Sequence, residues 1–167
     1  ASGLEFFLDA NPGGEVSVLE VGLGTGLNFL LTADYCENRK IRLHYTGIEA
    51  YPLGRDMIGQ TGYRQYVSEP VWNAFLGQYE ASLRQEVPVG EHCTLRTAHT
   101  TLADFKTTDR FDVLYFDAFA AVHQPEMWDF EALQHITGFL RPGGVFVTYA
   151  ITGNLKRTKK VLGFTVE

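Results

Sequence analysis

Apolar residues fall into short runs separated by polar, glycine-marked breaks, and the period inside each run names its element. Residues 16–21 alternate as a strand does, while 27–36 place Leu27, Leu30, Leu31 and Tyr35 at helical spacing. Further strands read over 43–48, 94–98, 111–116 and 145–149, with helices over 71–84 and 125–137. Pro125 suits the first turn of the second of these helices, and Arg141-Pro142-Gly143-Gly144 reads as the turn that delivers the last strand. Strands interleaved with helices pair in parallel through right-handed crossovers, because a meander would need hairpin turns between consecutive strands. The fold class is therefore α/β, a Rossmann-like doubly wound and mostly parallel sheet.

One crossover is unusually long. Residues 51–90 hold the aromatics Tyr63, Tyr66, Trp72, Phe75 and Tyr79, whose spacing reads as core packing in a segment enlarged to cover part of the site. Neither a repeat nor a linker interrupts the chain, so 167 residues at 45% apolar composition read as one domain over 1–167. The first strand follows closely on the start, and Gly163-Phe164-Thr165-Val166-Glu167 resembles the opening of another strand. An open sheet stopping there would expose an edge. The expectation is that residues of the natural polypeptide are absent at both ends.

Charge narrows the partners. A formal net charge of −6 argues against a general nucleic-acid coat, so a nucleic-acid substrate would have to be held locally. The densest basic stretch, Lys156, Arg157, Lys159 and Lys160, reads first as a solvated helix face and secondarily as a phosphate contact. No apolar run approaches the roughly 20 residues of a membrane span, and no basic-then-apolar leader precedes the first strand. Cys36 and Cys93 are too few for a disulfide scaffold and form no Cys-x-x-Cys pair, which suits a reducing, cytoplasmic setting without a membrane. The five histidines lack metal-ligand spacing, so no metal is expected.

The segment Val18-Leu19-Glu20-Val21-Gly22-Leu23-Gly24-Thr25-Gly26-Leu27-Asn28 runs from a strand through a Gly-x-Gly-x-Gly turn into a helix. Glycine permits the tight bend and the close approach of a ligand, and the helix start that follows favours negative charge. A dinucleotide fingerprint would need its third glycine one position later, where Leu27 stands, so a nicotinamide or flavin fits poorly. Glu49 closes the second strand, where a carboxylate accepts hydrogen bonds from both hydroxyls of a ribose. Glu20 and Glu49 beside one glycine turn fit S-adenosylmethionine, which is cationic at sulfur and carries no phosphate. The plainer reading of Glu20 is a polar residue at a strand end.

A third acid, Asp117, closes the apolar run 111–116 at the carboxyl edge, where open α/β sheets bind ligands. It is the catalytic candidate: a carboxylate beside an amine nucleophile orients the lone pair and accepts the departing proton. A helix cap or turn is the alternative. Asp112, at the other end of that run, reads as a solvated first residue of its strand. His123 reads as a surface loop residue and Trp128 as either packing or pocket lining.

The glycine segment continuing into Phe29, together with Phe116-Asp117-Ala118-Phe119-Ala120 and Gln124-Pro125-Glu126-Met127-Trp128, resembles the methyltransferase domain of the MnmC tRNA-modification family. The closing 149–157 and Gly163-Phe164 resemble it too. The resemblance covers nearly the whole chain and is thin over 55–90. It implies a class I methyltransferase fold whose C-terminal strands are missing here, and N-methylation of the 5-aminomethyl group of a wobble uridine in tRNA. Asp117 would be the acid beside the amine. Glu20, Gly22, Gly24, Gly26, Asn28 and Glu49 would hold the cofactor, with backbone groups of Thr101 or Leu102 at the adenine. Ala121 replaces the family's usual proline, and Asp104 lies several residues past the family's usual adenine-contacting acid. The implied partners are tRNA and a separate flavin-dependent oxidase acting earlier in the same pathway. A small-molecule amine methyltransferase and a non-catalytic cofactor-binding scaffold stand as the other readings.

Overall fold

The computed structural model describes residues 2–116 and 130–148. In chain order the elements are α1 (Ser2–Ala10), β1 (Glu15–Val21), α2 (Leu27–Asn38), β2 (Arg42–Ile48), α3 (Arg55–Gly59), a 3₁₀ turn (Tyr63–Gln65), α4 (Glu69–Ser82), β3 (Val87–Pro88), β4 (Cys93–Ala98), β5 (Phe111–Phe116), α5 (Phe130–Thr137) and β6 (Leu140–Thr148). The sheet order is β3-β4-β2-β1-β5-β6, with every pairing parallel except β3 against β4. From β1 the chain winds outward first to one side and then to the other. That reversal leaves a crevice at the carboxyl ends of β1, β2 and β5, the place where doubly wound sheets bind ligands.

Strand alternation separates two cores. On one face Val16, Val18, Leu43, Tyr45, Leu95, Val113 and Tyr115 pack with Phe29 and Leu30 of α2 and with Trp72, Phe75 and Tyr79 of α4. On the other, Leu19, Val21, Leu114 and Phe116 meet Leu133 and Ile136 of α5 and the loop residues Leu102 and Phe105. Trp72, Phe75 and Tyr79 are therefore core, as their spacing predicts, whereas Tyr66, read as part of the same stripe, is exposed.

Elsewhere, two readings change. The Arg141-Pro142-Gly143-Gly144 turn lies within β6 as an irregularity, because β6 already pairs at Leu140 with Phe111 and regains register at Val145 opposite Val113. Gly143 takes φ +81° there, the left-handed conformation that glycine adopts without strain. Asp112 is only 9% exposed, not solvated. The β1–β5 ladder begins at Val18 opposite Val113, so the Ser17 N–H takes the Asp112 carboxylate at 2.8 Å instead, and Arg141 pairs with the same group at 2.7 Å. Finally, α5 is described from Phe130; the expected start at Pro125 lies outside the described residues, with Asp117, Ala121, His123, Trp128 and the basic stretch 156–160.

Candidate functional site

The glycine loop is clamped onto the neighbouring strand. Gly22 and Leu23 N–H both donate to the Ile48 carbonyl, at 2.9 and 3.2 Å, carrying the loop over the end of β2. Gly47 makes room for this: a Cβ there would stand 2.8 Å from the Leu23 side chain. Gly22, Gly24 and Gly26 all have positive φ, at 85°, 58° and 86°. Such a succession is accessible to glycine and strained for other residues.

The glycines serve different purposes. A Cβ on Gly26 would lie 2.5 Å from the Phe75 ring, so that position is closed by the protein itself. A Cβ on Gly24 would meet nothing nearer than the Gly22 carbonyl at 4.0 Å, which leaves open space against the loop for a ligand. No side chain caps the start of α2 at Gly26. A helix start without such an acceptor favours a carboxylate or other electronegative ligand group.

Glu49 holds the mouth of this space. Its Oε1 accepts from the Gly24 N–H at 2.8 Å and its Oε2 from the Tyr51 N–H at 3.1 Å. Both oxygens are thereby fixed, yet a carboxylate oxygen has a further lone pair for a ribose hydroxyl. The open space, the anchored carboxylate and the positive helix start fit an adenosyl cofactor that carries no phosphate. Next to a pyrophosphate the same carboxylate would be repulsive.

Glu20 has a different position. It is completely buried, with Oε1 taking the Tyr45 hydroxyl at 2.7 Å and Oε2 the Asn28 Nδ2 at 2.8 Å. It thus ties β1, β2 and α2 together beneath the loop. Asn28 commits one amide N–H to the same tie, while Tyr45 carries no sequence signal beyond its place in a strand. A second tie joins the long crossover to the loop: the Tyr63 and Thr25 hydroxyls lie 2.8 Å apart. The covering role expected of 51–90 has this contact and the Phe75–Gly26 approach as its physical form.

Beyond β4, Leu102 is buried in the second core, and the Thr101 hydroxyl accepts from the Asp104 N–H at 3.2 Å. The Leu102 side chain is thereby enclosed, while the exposed Thr101 hydroxyl keeps its own proton to donate. Asp117 follows Phe116, whose strand register places it opposite Val21 just before the glycine loop. Three histidines have protein partners: His44 meets Glu15, His92 meets Glu37, and His135 meets the Phe105 carbonyl. Among the described residues no three His, Cys, Asp or Glu side chains gather as a metal site, and no helix is long and apolar enough to cross a membrane.

A family profile described as S-adenosyl-L-methionine-dependent methyltransferase matches residues 66–167. The chain is 30% identical over 173 aligned residues to the tRNA 5-methylaminomethyl-2-thiouridine biosynthesis bifunctional protein MnmC of Chromobacterium violaceum, covering 97% of this chain and 26% of that protein. It is 27% identical to the protein of the same name from Leptospira borgpetersenii, covering 90% of this chain and 24% of the relative. The chain thus spans about a quarter of the length of these curated relatives. The crystal structure of MnmC2 from Aquifex aeolicus superposes with a TM-score of 0.72 at 19% identity, over 99% of this chain and 52% of that one, and shares its fold.

Proposed function

The chain belongs to the S-adenosyl-L-methionine-dependent methyltransferase family, and from that premise we propose that it methylates the amine of a 5-aminomethyl group on the wobble uridine of tRNA. The observation that carries the cofactor half of this reading is the Gly24–Glu49 hydrogen bond beside the open side of the loop. The likeness to proteins named for 5-methylaminomethyl-2-thiouridine biosynthesis supports the substrate half.

S-adenosylmethionine, when bound, supplies an electrophilic methyl group on a sulfonium. In this proposal Glu49 accepts the ribose hydroxyls and the glycine loop keeps side chains out of the ligand's path. Glu20 acts at one remove, through Asn28 and Tyr45, by fixing the base of the loop. Asp117 accepts a hydrogen bond from the incoming amine, turns its lone pair toward the methyl carbon, and takes the proton that the methylated nitrogen sheds. In-line positioning of the two reactants is the other main contribution. A tRNA substrate places the protein in the cytoplasm. A flavin-dependent oxidase acting earlier in the pathway is its proposed partner, as an attached domain or a separate chain.

The net charge of −6 favours one second reading, a methyltransferase for small free amines. Undermodified bulk tRNA and free 5-aminomethyluridine, offered separately to the full-length protein, distinguish the two. Mass spectrometry of wobble nucleosides from cells lacking the protein tests the main proposal: the unmethylated aminomethyl nucleoside should accumulate, and an unchanged nucleoside profile would refute it.

A further inference from the structure

Parallel sheets are normally covered on both faces. Here β4 is exposed on one: its burial alternates, with Cys93, Leu95 and Thr97 inside and Arg96 outside. The cause is the crossover 99–110, which contains no helix and passes beside the sheet as a loop. Between loop and sheet lies a cavity of about 340 Å³ lined by Arg84, Arg96 and Lys106, with Thr46, Asp104 and Asp109 among its walls.

The placement of the cations is built into the fold. Thr46 and Arg96 stand opposite one another in the β2–β4 register. A buried hydrogen bond of 2.8 Å between the Ser82 and Thr97 hydroxyls pins the end of α4 to β4, which sets Arg84 at the same edge. Among the described residues, Arg84, Arg96 and Lys106 form no ion pair within 4.0 Å, and neither do Asp104 or Asp109. Three cations against two carboxylates make this cavity locally positive in a chain of net charge −6. None of Glu20, Gly22, Gly24, Gly26 or Glu49 lines it. It nevertheless adjoins the cofactor end of the sheet, since the Glu49 N–H donates to the Ala98 carbonyl at 3.0 Å and Ala98 is a wall residue.

Two guanidinium forks and an ammonium, none in an ion pair among the described residues, suit a tetrahedral anion with several acceptor oxygens. We propose that this cavity binds a backbone phosphodiester of the RNA substrate and so anchors the tRNA beside the methyl-transfer site. The inference rests on the tRNA reading above. It gives a chain of net charge −6 a localised contact for a polyanion.

The test measures tRNA binding by fluorescence anisotropy across a salt series, using the full-length protein and the Arg84→Glu/Arg96→Glu double variant. The dissociation constant for tRNA should rise about tenfold or more, and the slope of log K against log salt should become shallower by about 0.7–0.9 for the one phosphate released. Affinity for S-adenosylhomocysteine should stay unchanged, and Arg96→Lys, which keeps the charge but loses the fork, should weaken tRNA binding less than the double variant does. If the double variant fails to fold, Lys106→Glu carries the same expectation in the same direction, weaker binding and a shallower slope. A folded variant with unchanged tRNA affinity and slope overturns the inference, as does a matching loss of S-adenosylhomocysteine affinity, which would assign the cavity to the cofactor. A wild-type protein that methylates no tRNA removes the substrate reading and this inference together. Methylation with charge-reversed variants of unchanged KM removes the inference alone.

Discussion

The Gly24 backbone N–H donates to Glu49 Oε1 across 2.8 Å, so the residue placed to receive a ribose also fixes the loop on which the cofactor would rest. Glu49→Ala removes both. The cofactor's dissociation constant should rise on the order of tenfold or more, the scale of a lost hydrogen bond to a charged group. Glu49→Gln, which keeps an acceptor for Gly24, should lose less. Titration calorimetry with S-adenosylhomocysteine measures both, and an unchanged constant in the alanine variant would remove Glu49 from the ribose.

Gly26→Ala should destabilise the fold by about 1–3 kcal/mol, from two separable causes. One is backbone strain at φ +86°, and the other is the 2.5 Å approach of the new Cβ to the Phe75 ring. Adding Phe75→Leu relieves only the second. A double-mutant cycle by urea unfolding should therefore return a favourable coupling of about 1 kcal/mol. Strict additivity would place the whole cost in the backbone.

Asp117→Ala should reduce turnover by about a hundredfold or more while leaving cofactor affinity nearly intact, if its carboxylate serves the amine. Steady-state methylation and cofactor titration on one preparation make the comparison. A parallel loss in both would reassign Asp117 to cofactor binding.

Glu37 supplies a pH test of stability. Burial pushes its carboxyl upward, but hydrogen bonds from the His92 ring and backbone N–H and from the Cys93 thiol, with the imidazole charge, overcome this and hold it below its ordinary value of 4.5. A carboxyl lowered in the folded state stabilises the fold above its unfolded pKa, and that contribution disappears as pH falls through the folded value. Glu37→Gln should thus be less stable than wild type at neutral pH, with the gap closing at a second, acidic pH well below 4.5. Urea midpoints at the two pH values decide it; a gap of constant size would mean that the charge contributes nothing.

The two thiols should resist modification in the native protein. Burial, helped by the neighbouring Glu37 charge, pushes Cys36 up to about 12 and Cys93 higher still, and the thiolate is the reactive form. Reaction with a thiol-specific disulfide reagent should follow the rate of unfolding. Rapid labelling of the folded protein would contradict the buried positions of both side chains.

Much of the architecture is a local property and was legible as such. The apolar run of β5 begins at Phe111 in both sequence and structure, and the glycine turn lies between β1 and α2 where its pattern places it. Period, glycine spacing and strand ends are written in neighbouring residues, so the sequence by itself determined the α/β class and put Glu49 at a strand's carboxyl edge. Partnerships across the chain were decided only by the folded structure. Asp112 looks like a solvated strand start until β1 arrives 95 residues away in sequence with an N–H that its ladder leaves unpaired. The two-residue β3 carries too little pattern to read and exists because Val87 and Pro88 meet Leu95 and Thr94. Glu20 accepts from Tyr45 and Asn28 because β2 and α2 close over the end of β1. Whether a carboxylate faces ligand or protein depends on which distant strand and helix cover it, and that follows from sheet register rather than from its neighbours in sequence.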